Sequence, residues 1–180
     1  ALECLATMIE DGTLSSRGTS LQSHRKVLEV AAAQLHGRGR SIFEGFLKLG
    51  PPYDFFTILW CLAKYAPESE SAYVQNYVDR AVALVPPDQI RGIWSGLLGS
   101  PHYLAPYIED LKEGLKTKEL KSSASGPLRK LLGDGYEVYC GELLSSGNKN
   151  EQSIGLSLLE EAGTERARQT MLEILATTSD

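Results

Sequence analysis

Glycine and arginine alternate at positions 37–40, and Ser41 follows them at the start of a predicted helix. Backbone N–H groups at a helix N-terminus and guanidinium groups are the donors with which proteins bind phosphate. The segment is not a Walker loop, because no Gly-Lys-Ser or Gly-Lys-Thr follows four spacer residues. A plain helix–helix turn, in which Gly37 and Gly39 supply the backbone geometry, explains the same residues and is favoured over anion binding.

Charge is distributed unevenly along the chain, whose formal net charge is −5. Residues 17–48 carry six basic side chains against two acidic ones, whereas residues 134–180 carry nine acidic side chains against three basic ones. An asymmetry of this kind concerns partners and solubility rather than the fold. The residues that would contact an anion or another partner are Arg17, Arg25, Lys26, Arg38 and Arg40.

Residue types suited to catalysis and metal binding are present, but their spacing fits neither activity. His24, His36 and His102 never lie three to five residues apart, and no Cys-x-x-Cys pair occurs. No Gly-x-Ser-x-Gly elbow is found either. We therefore expect no catalytic residue, no metal, no cofactor and no small-molecule substrate. An enzyme would require one of the histidines to converge with a carboxylate in a cleft.

The cysteine pattern indicates an intracellular protein, either cytoplasmic or nuclear. Cys4, Cys61 and Cys140 are odd in number and far apart, which argues against a disulfide framework. Each lies among apolar residues, so we expect small buried side chains rather than nucleophiles. No apolar run approaches the roughly 20 residues that span a bilayer, and no secretory signal is recognised. Because the chain begins with alanine, we expect a segment of a longer protein.

The elements that would position these residues are almost all helical. A strongly apolar and aromatic helix is predicted over residues 54–66, and a helix over residues 42–49 with Ser41 and Glu44 at the spacing of a capping box. Pro101 opens a helix that extends to Leu115. Residues 128–144 are predicted as one segment, in which residues 135–140 are helix rather than strand. Gly163 and Thr164 have the residue types of a C-cap followed directly by an N-cap.

An imperfect internal repeat occupies the middle of the chain. Pro52 and Pro87 are 35 residues apart, and Pro67 and Pro101 are 34 apart. A period in the thirties with two apolar helical stretches per unit is typical of stacked helical hairpins. Tetratricopeptide repeats have this length, but the positions where that family places small residues hold bulkier ones here, namely Leu62 and Val74. We therefore assign no membership of that family.

The sequence predicts an all-α fold, either stacked antiparallel helical hairpins in an irregular HEAT-like array or a compact multi-helix bundle. Residues 1–180 are expected to form a single helical domain. A flexible connection is predicted near residues 117–126, where small and polar residues precede a proline.

The absence of catalytic motifs, together with the predicted repeat, favours a non-catalytic scaffold or adaptor domain that presents a helical surface to another protein. The alternative is a phosphate-directed binder of RNA, DNA or an anionic membrane that uses the basic N-terminal region. A further alternative is a structural assembly subunit, such as a viral matrix or nucleocapsid-associated protein, in which the basic and acidic ends of copies meet through self-association.

Overall fold

The computed structural model describes Thr7 and residues 25–49 and 55–178, and the regular elements in these ranges are all helical. The predicted all-α, multi-helix fold is therefore confirmed. The chain divides into two compact units, residues 1–106 and residues 107–180, called here the N-terminal and C-terminal units. The single helical domain and the internal repeat that the sequence predicts stay predictions.

Five α-helices are described in the N-terminal unit. They are α1 (Arg25–Ala33), α2 (Arg40–Leu49), α3 (Phe55–Tyr65), α4 (Ser71–Leu84) and α5 (Ile90–Gly96). Short 3₁₀ segments introduce the later helices, because proline begins each of these turns or immediately precedes it; they are Glu68–Glu70, Pro87–Gln89 and Pro101–Tyr107.

Helix α3 is the centre of the N-terminal unit, as its apolar sequence predicted. It packs against α1, α4 and α5. Its buried side chains are Phe55, Thr57, Ile58, Leu59, Cys61 and Leu62. The approach of α5 is close, because a Cβ atom built on Gly96 would lie 2.7 Å from the carbonyl oxygen of Phe56. Both tryptophans of the chain belong to this unit: Trp94 is 2% exposed, and Trp60 is half-buried.

A polar network joins α2 to α4. The Nη1 atom of Arg80 lies 3.0 and 2.8 Å from the two carboxylate oxygens of Glu44, and the Tyr73 hydroxyl donates to the same carboxylate at 3.2 Å. The buried Tyr77 hydroxyl donates to the carbonyl oxygen of Phe43 at 3.1 Å. The bonded residues are 29 to 36 positions apart in the sequence, which is about one predicted repeat. Sequence rules that concern neighbouring residues therefore do not predict these bonds.

The predicted capping box at Ser41 is wrong. Helix α2 already begins at Arg40, and the Ser41 hydroxyl donates to the carbonyl oxygen of Arg38 instead of accepting from the helix. Glu44 is engaged by the guanidinium group of Arg80. The contact with Arg80 joins two full charges, whereas a capping box would offer the Glu44 carboxylate only a neutral N–H, so the tertiary partner competes successfully.

Two predicted continuous helices are interrupted. Residues 101–115 form the 3₁₀ segment Pro101–Tyr107 followed by an α-helix, because Pro106 lacks the N–H that a continuous helix would use. Residues 128–144 are divided at Gly133, whose φ of 53° ends one helix before the next begins. The prediction that residues 135–140 are helical rather than extended is confirmed.

Five α-helices are also described in the C-terminal unit. They are α6 (Ile108–Leu115), α7 (Lys121–Leu132), α8 (Gly135–Leu144), α9 (Lys149–Ala162) and α10 (Glu165–Thr178). Helix α6 packs against α7, and α8 packs against α9 and α10. The segment 117–126, predicted as a flexible connection, contains a turn and the first half of α7. The boundary between the compact units instead falls after Pro106.

Local sequence signals define both ends of α9. The Asn148 side chain accepts a hydrogen bond from the backbone N–H of Asn150 at 2.9 Å, as an N-cap should. Gly163 ends the helix in the left-handed conformation, with φ of 61°. The Thr164 hydroxyl then accepts from the N–H of Ala167 at 3.0 Å. The predicted succession of C-cap and N-cap at Gly163 and Thr164 is confirmed, and it joins α9 to α10 through two residues.

Candidate functional site

The predicted basic residues were the first candidates for a site. Arg17 lies outside the described residues. Arg25 begins α1, where its Nε lies 3.0 Å from Glu29 and its guanidinium group lies 4.0 Å from the centre of the Trp60 ring. Lys26 is exposed beside it. Since Arg25 already has a carboxylate and an aromatic partner, its positive charge is partly neutralised within the fold.

Arg40 is engaged in the same way. Its Nη2 lies 2.6 Å from Glu70, and its guanidinium group lies 4.5 Å from the centre of the Tyr73 ring. The same carboxylate lies 3.2 Å from Nδ1 of His36. Arg38 is exposed on the turn between α1 and α2. The fold thus directs the two arginines of α1 and α2 towards carboxylates and rings of their own unit.

The glycines at this turn have a geometric role, which agrees with the helix–helix turn favoured from the sequence. Helix α1 ends at Ala33 and α2 begins at Arg40. Gly37 has φ of 77°, in the region that side-chain-bearing residues rarely adopt. A Cβ on Gly39 would collide with the carbonyl oxygens of Ala31 and Gln34. Both positions therefore require glycine for the chain to turn.

The histidines do not converge on a shared centre within the described ranges. His24 falls outside those ranges, His36 contacts Glu70, and His102 lies against Tyr103 with ring centres 4.1 Å apart. No group of three or more His, Cys, Asp or Glu side chains suited to a metal ion occurs in residues 25–49 and 55–178. In the same ranges, no buried side-chain nitrogen or oxygen lacks a hydrogen-bond partner.

Cys61 and Cys140 are free thiols with no solvent exposure, as predicted. Burial raises the pKa of each from the ordinary value of 9.0 to about 12. The thiolate is the nucleophilic form, so a raised pKa suppresses reactivity at physiological pH. Neither thiol is placed to attack a substrate.

We expect these thiols to resist Ellman's reagent in the native protein. With Cys4 replaced by serine, no thiol should react at pH 8, and two should react in urea. The folded protein also retains thiol protons that the unfolded chain releases above pH 9, so stability should fall as pH rises from 9 towards 12. Rapid reaction of either thiol at pH 8 under native conditions would contradict the burial.

A different feature, in the C-terminal unit, has the character of a binding site. An open groove with a volume of about 690 Å³ lies along α9 and α10 and is predominantly apolar. Its lining residues are Leu144, Gln152, Leu156, Glu160, Arg168, Met171, Leu172 and Ile174. Leu156 is 40% exposed and Leu172 is 64% exposed, so two large apolar side chains of this groove remain in contact with water.

The groove forms because α9 buries one of its faces in the core and leaves another face exposed. Ile154, Leu158 and Leu159 are buried on one face, and Gly155 lets that face approach the main chain of α8. The groove residues Gln152, Leu156 and Glu160 are spaced four apart, so they form a stripe on a different face. That stripe extends about 12 Å along the helix axis, from eight residues at 1.5 Å each.

Helix α10 forms the opposite side and is fixed mainly at its beginning. The Thr164 hydroxyl donates to the Glu137 carboxylate of α8, and Nε of Arg166 lies 3.8 Å from that carboxylate. Among the side chains of α10 that the structure describes, Ala167 alone is buried. The apolar groups at Met171 and Leu172 are therefore held in place but left incompletely covered.

The sequence of α10 contains one signal for this groove, its apolar residues near the C-terminal end. Met171, Leu172 and Ile174 occupy a broad apolar arc of α10. A helix with apolar residues on a broad arc needs a second surface to cover it. Spacing alone does not show which residues of α9 would form the other wall.

Comparison with known proteins does not indicate a function. No protein-family model, curated protein or solved structure matches the chain. Among the described residues, no helix is both long and apolar enough to cross a membrane.

Proposed function

We propose that this protein is a non-catalytic interaction domain whose groove along α9 and α10 binds the apolar face of a helix from another protein. The observation that carries the proposal is the pair of exposed leucines, Leu156 and Leu172, within one open groove. Exposed apolar surface gathered in a concavity is characteristic of interaction sites. This specifies where the scaffold or adaptor function expected from the sequence would reside.

A helix suits the dimensions and composition of the groove. Helix-in-groove recognition uses apolar side chains at positions i, i+3 or i+4, and i+7, which occupy about two turns. The stripe from Gln152 to Glu160 has the corresponding length. Met171 adds an adaptable thioether of the kind common in grooves that accept helices. Gln152 and Glu160 would lie at polar edges of the bound helix.

The proposal predicts that Leu172→Gln weakens binding without unfolding the protein. Covering the exposed part of this leucine should contribute about 1.5 kcal/mol, so affinity should fall roughly tenfold. Leucine and glutamine have similar helix propensities, and the side chain is mostly exposed, so stability should change little. The probe is a 16-residue amphipathic peptide of leucine, alanine and glutamine, and binding is followed by NMR of the labelled protein.

Val138→Gln is the matched control, because Val138 is 50% exposed on α8 and does not line the groove. Affinity for the peptide should be unchanged in that variant. Shifted resonances should map to groove residues such as Leu156 and Met171. Equal loss of binding in both variants, or shifts spread over the whole unit, would count against the groove.

The phosphate-directed alternative has less support. Of its five candidate residues, Arg25 and Arg40 have carboxylate partners at 3.0 and 2.6 Å. A nucleic acid would therefore meet guanidinium groups whose charge is already shared with a carboxylate. We also infer an intracellular setting, supported by the free, buried thiols of Cys61 and Cys140.

A further inference from the structure

We infer that the helix bound by this groove carries lysine or arginine residues along the edges of its apolar face. This inference rests on the proposed function and adds the charge of the partner. Residues 134–178, which include α8, α9 and α10, contain eight acidic residues and three basic ones. The three helices of which the groove is built therefore carry an excess of negative charge.

Two of the three basic residues, Arg166 and Arg168, do little to offset that charge for a ligand, and the third, Lys149, does not line the groove. Nε of Arg166 lies 3.8 Å from Glu137, and Nη1 of Arg168 lies 3.6 Å from Glu165. Each guanidinium group is thus already beside a carboxylate of its own unit. Arg168 lines the groove and is 67% exposed, but its charge is shared with Glu165.

Several carboxylates remain exposed without an ion pair to another described residue. They are Glu142, Glu160, Glu161 and Glu173. Glu160 belongs to the lining itself, at one end of the α9 stripe. A cation on the partner helix would find an exposed carboxylate there, next to the apolar contact made by Leu156. This arrangement gives the groove both an apolar anchor and a charged edge.

The same charge disfavours two other occupants. A symmetric pair of identical chains would bring these acidic helices against their own copies, since such an interface uses the same patch twice. An acidic helix would meet like charges at the groove edge, which reduces affinity and association rate. The charge of the described surface therefore selects a basic amphipathic helix among apolar occupants.

The test compares three labelled peptides that share one leucine face and differ only in their edge residues: lysine, glutamine or glutamate. Fluorescence anisotropy is measured with the full chain at low and physiological salt. We expect the lysine peptide to bind about tenfold more tightly than the glutamate peptide at low salt, with the difference shrinking as salt screens the charges. Leu172→Gln should weaken all three.

Reversing the charge of Glu160 tests whether this side chain causes the preference for the lysine peptide. Glu160→Lys should weaken the lysine peptide several-fold and strengthen the glutamate peptide, because it inverts the charge in the groove lining. Glu119→Lys is the matched control, since Glu119 is exposed in the turn before α7 and does not line the groove. It should leave the order of the three peptides unchanged.

The outcomes separate the two levels of inference. Equal affinity for all three peptides, lost in Leu172→Gln, overturns the basic partner and leaves the groove function standing. No binding of any peptide, or binding of the lysine peptide that survives Leu172→Gln, overturns the groove function itself. A dimer seen by analytical ultracentrifugation and abolished by Leu172→Gln would show that a second copy occupies the groove, which also overturns the basic partner.

Discussion

Replacing Gly155 by alanine should destabilise the C-terminal unit by about 3 kcal/mol, at the upper end of the range for overpacked cores. A Cβ at this position would lie 2.6 Å from the carbonyl oxygen of Cys140 and 2.6 Å from the backbone nitrogen of Leu144. Both obstacles are main-chain atoms of α8, so a side-chain rotation cannot relieve them. Helices α8 and α9 would have to separate. Urea denaturation followed by far-ultraviolet circular dichroism measures the change.

Gly147→Ala provides the control for this substitution. Gly147 lies in the turn before α9, a Cβ there meets no atom within 4 Å, and its φ is compatible with alanine. Its stability should be unchanged or raised by up to about 1 kcal/mol, through reduced freedom of the unfolded chain. A Gly155→Ala protein as stable as Gly147→Ala would show that α8 and α9 pack less closely than described.

Gly39→Ala should have a comparable or larger effect on the N-terminal unit, of at least about 3 kcal/mol. The new Cβ would collide with the carbonyl oxygens of both Ala31 and Gln34. These oxygens belong to the end of α1 and the turn after it, so the path of the chain into α2 would have to change. The contacts of α2 with α4, including the Glu44 ion pair with Arg80, would be lost with it.

Gly92→Ala is the corresponding control in the same unit. Gly92 lies within α5, and a Cβ there has no neighbour within 4 Å. Alanine should be neutral or stabilising by up to about 1 kcal/mol, because it favours the helix. The midpoint of thermal unfolding compares the two variants. A normal midpoint for Gly39→Ala would exclude a tight turn between α1 and α2.

Sequence periodicity and caps identified the elements whose causes are local. The apolar run of α3 predicted a buried central helix, and the residue types at Gly163 and Thr164 predicted the turn between α9 and α10. The failures have non-local or overlooked causes. Glu44 has the spacing of a capping box, but its partner Arg80 is 36 residues away. Pro106 interrupts a helix that apolar spacing alone would continue.

The predicted binding residues illustrate the same limit. Clustering of arginine along the chain indicated a basic surface, but charge in a folded protein depends on what lies opposite each side chain. Trp60 lies opposite Arg25, and Glu70 and Tyr73 lie opposite Arg40; all three are about 30 or more residues away from their arginine. Spacing rules describe neighbours on one helix, and these partners belong to other elements.

The groove could be anticipated only in part. The excess of apolar residues on α10 predicts that a second surface covers them, but a sequence does not specify whether that surface is internal or external. In the fold, Ile154 and Leu158 of α9 are directed into the core, while Leu156 and Leu172 remain exposed in the groove. Burial of one face thus determines what remains available on another.

The location of the two tryptophans makes the compact units optically distinguishable. Trp60 and Trp94 both lie within residues 1–106, so indole fluorescence monitors the N-terminal unit alone. Helical ellipticity, in contrast, sums over α1 to α10. Denaturation curves recorded with the two signals coincide if the units unfold as one cooperative block and separate if each melts independently. The wild-type chain therefore carries an intrinsic probe of cooperativity without any added dye.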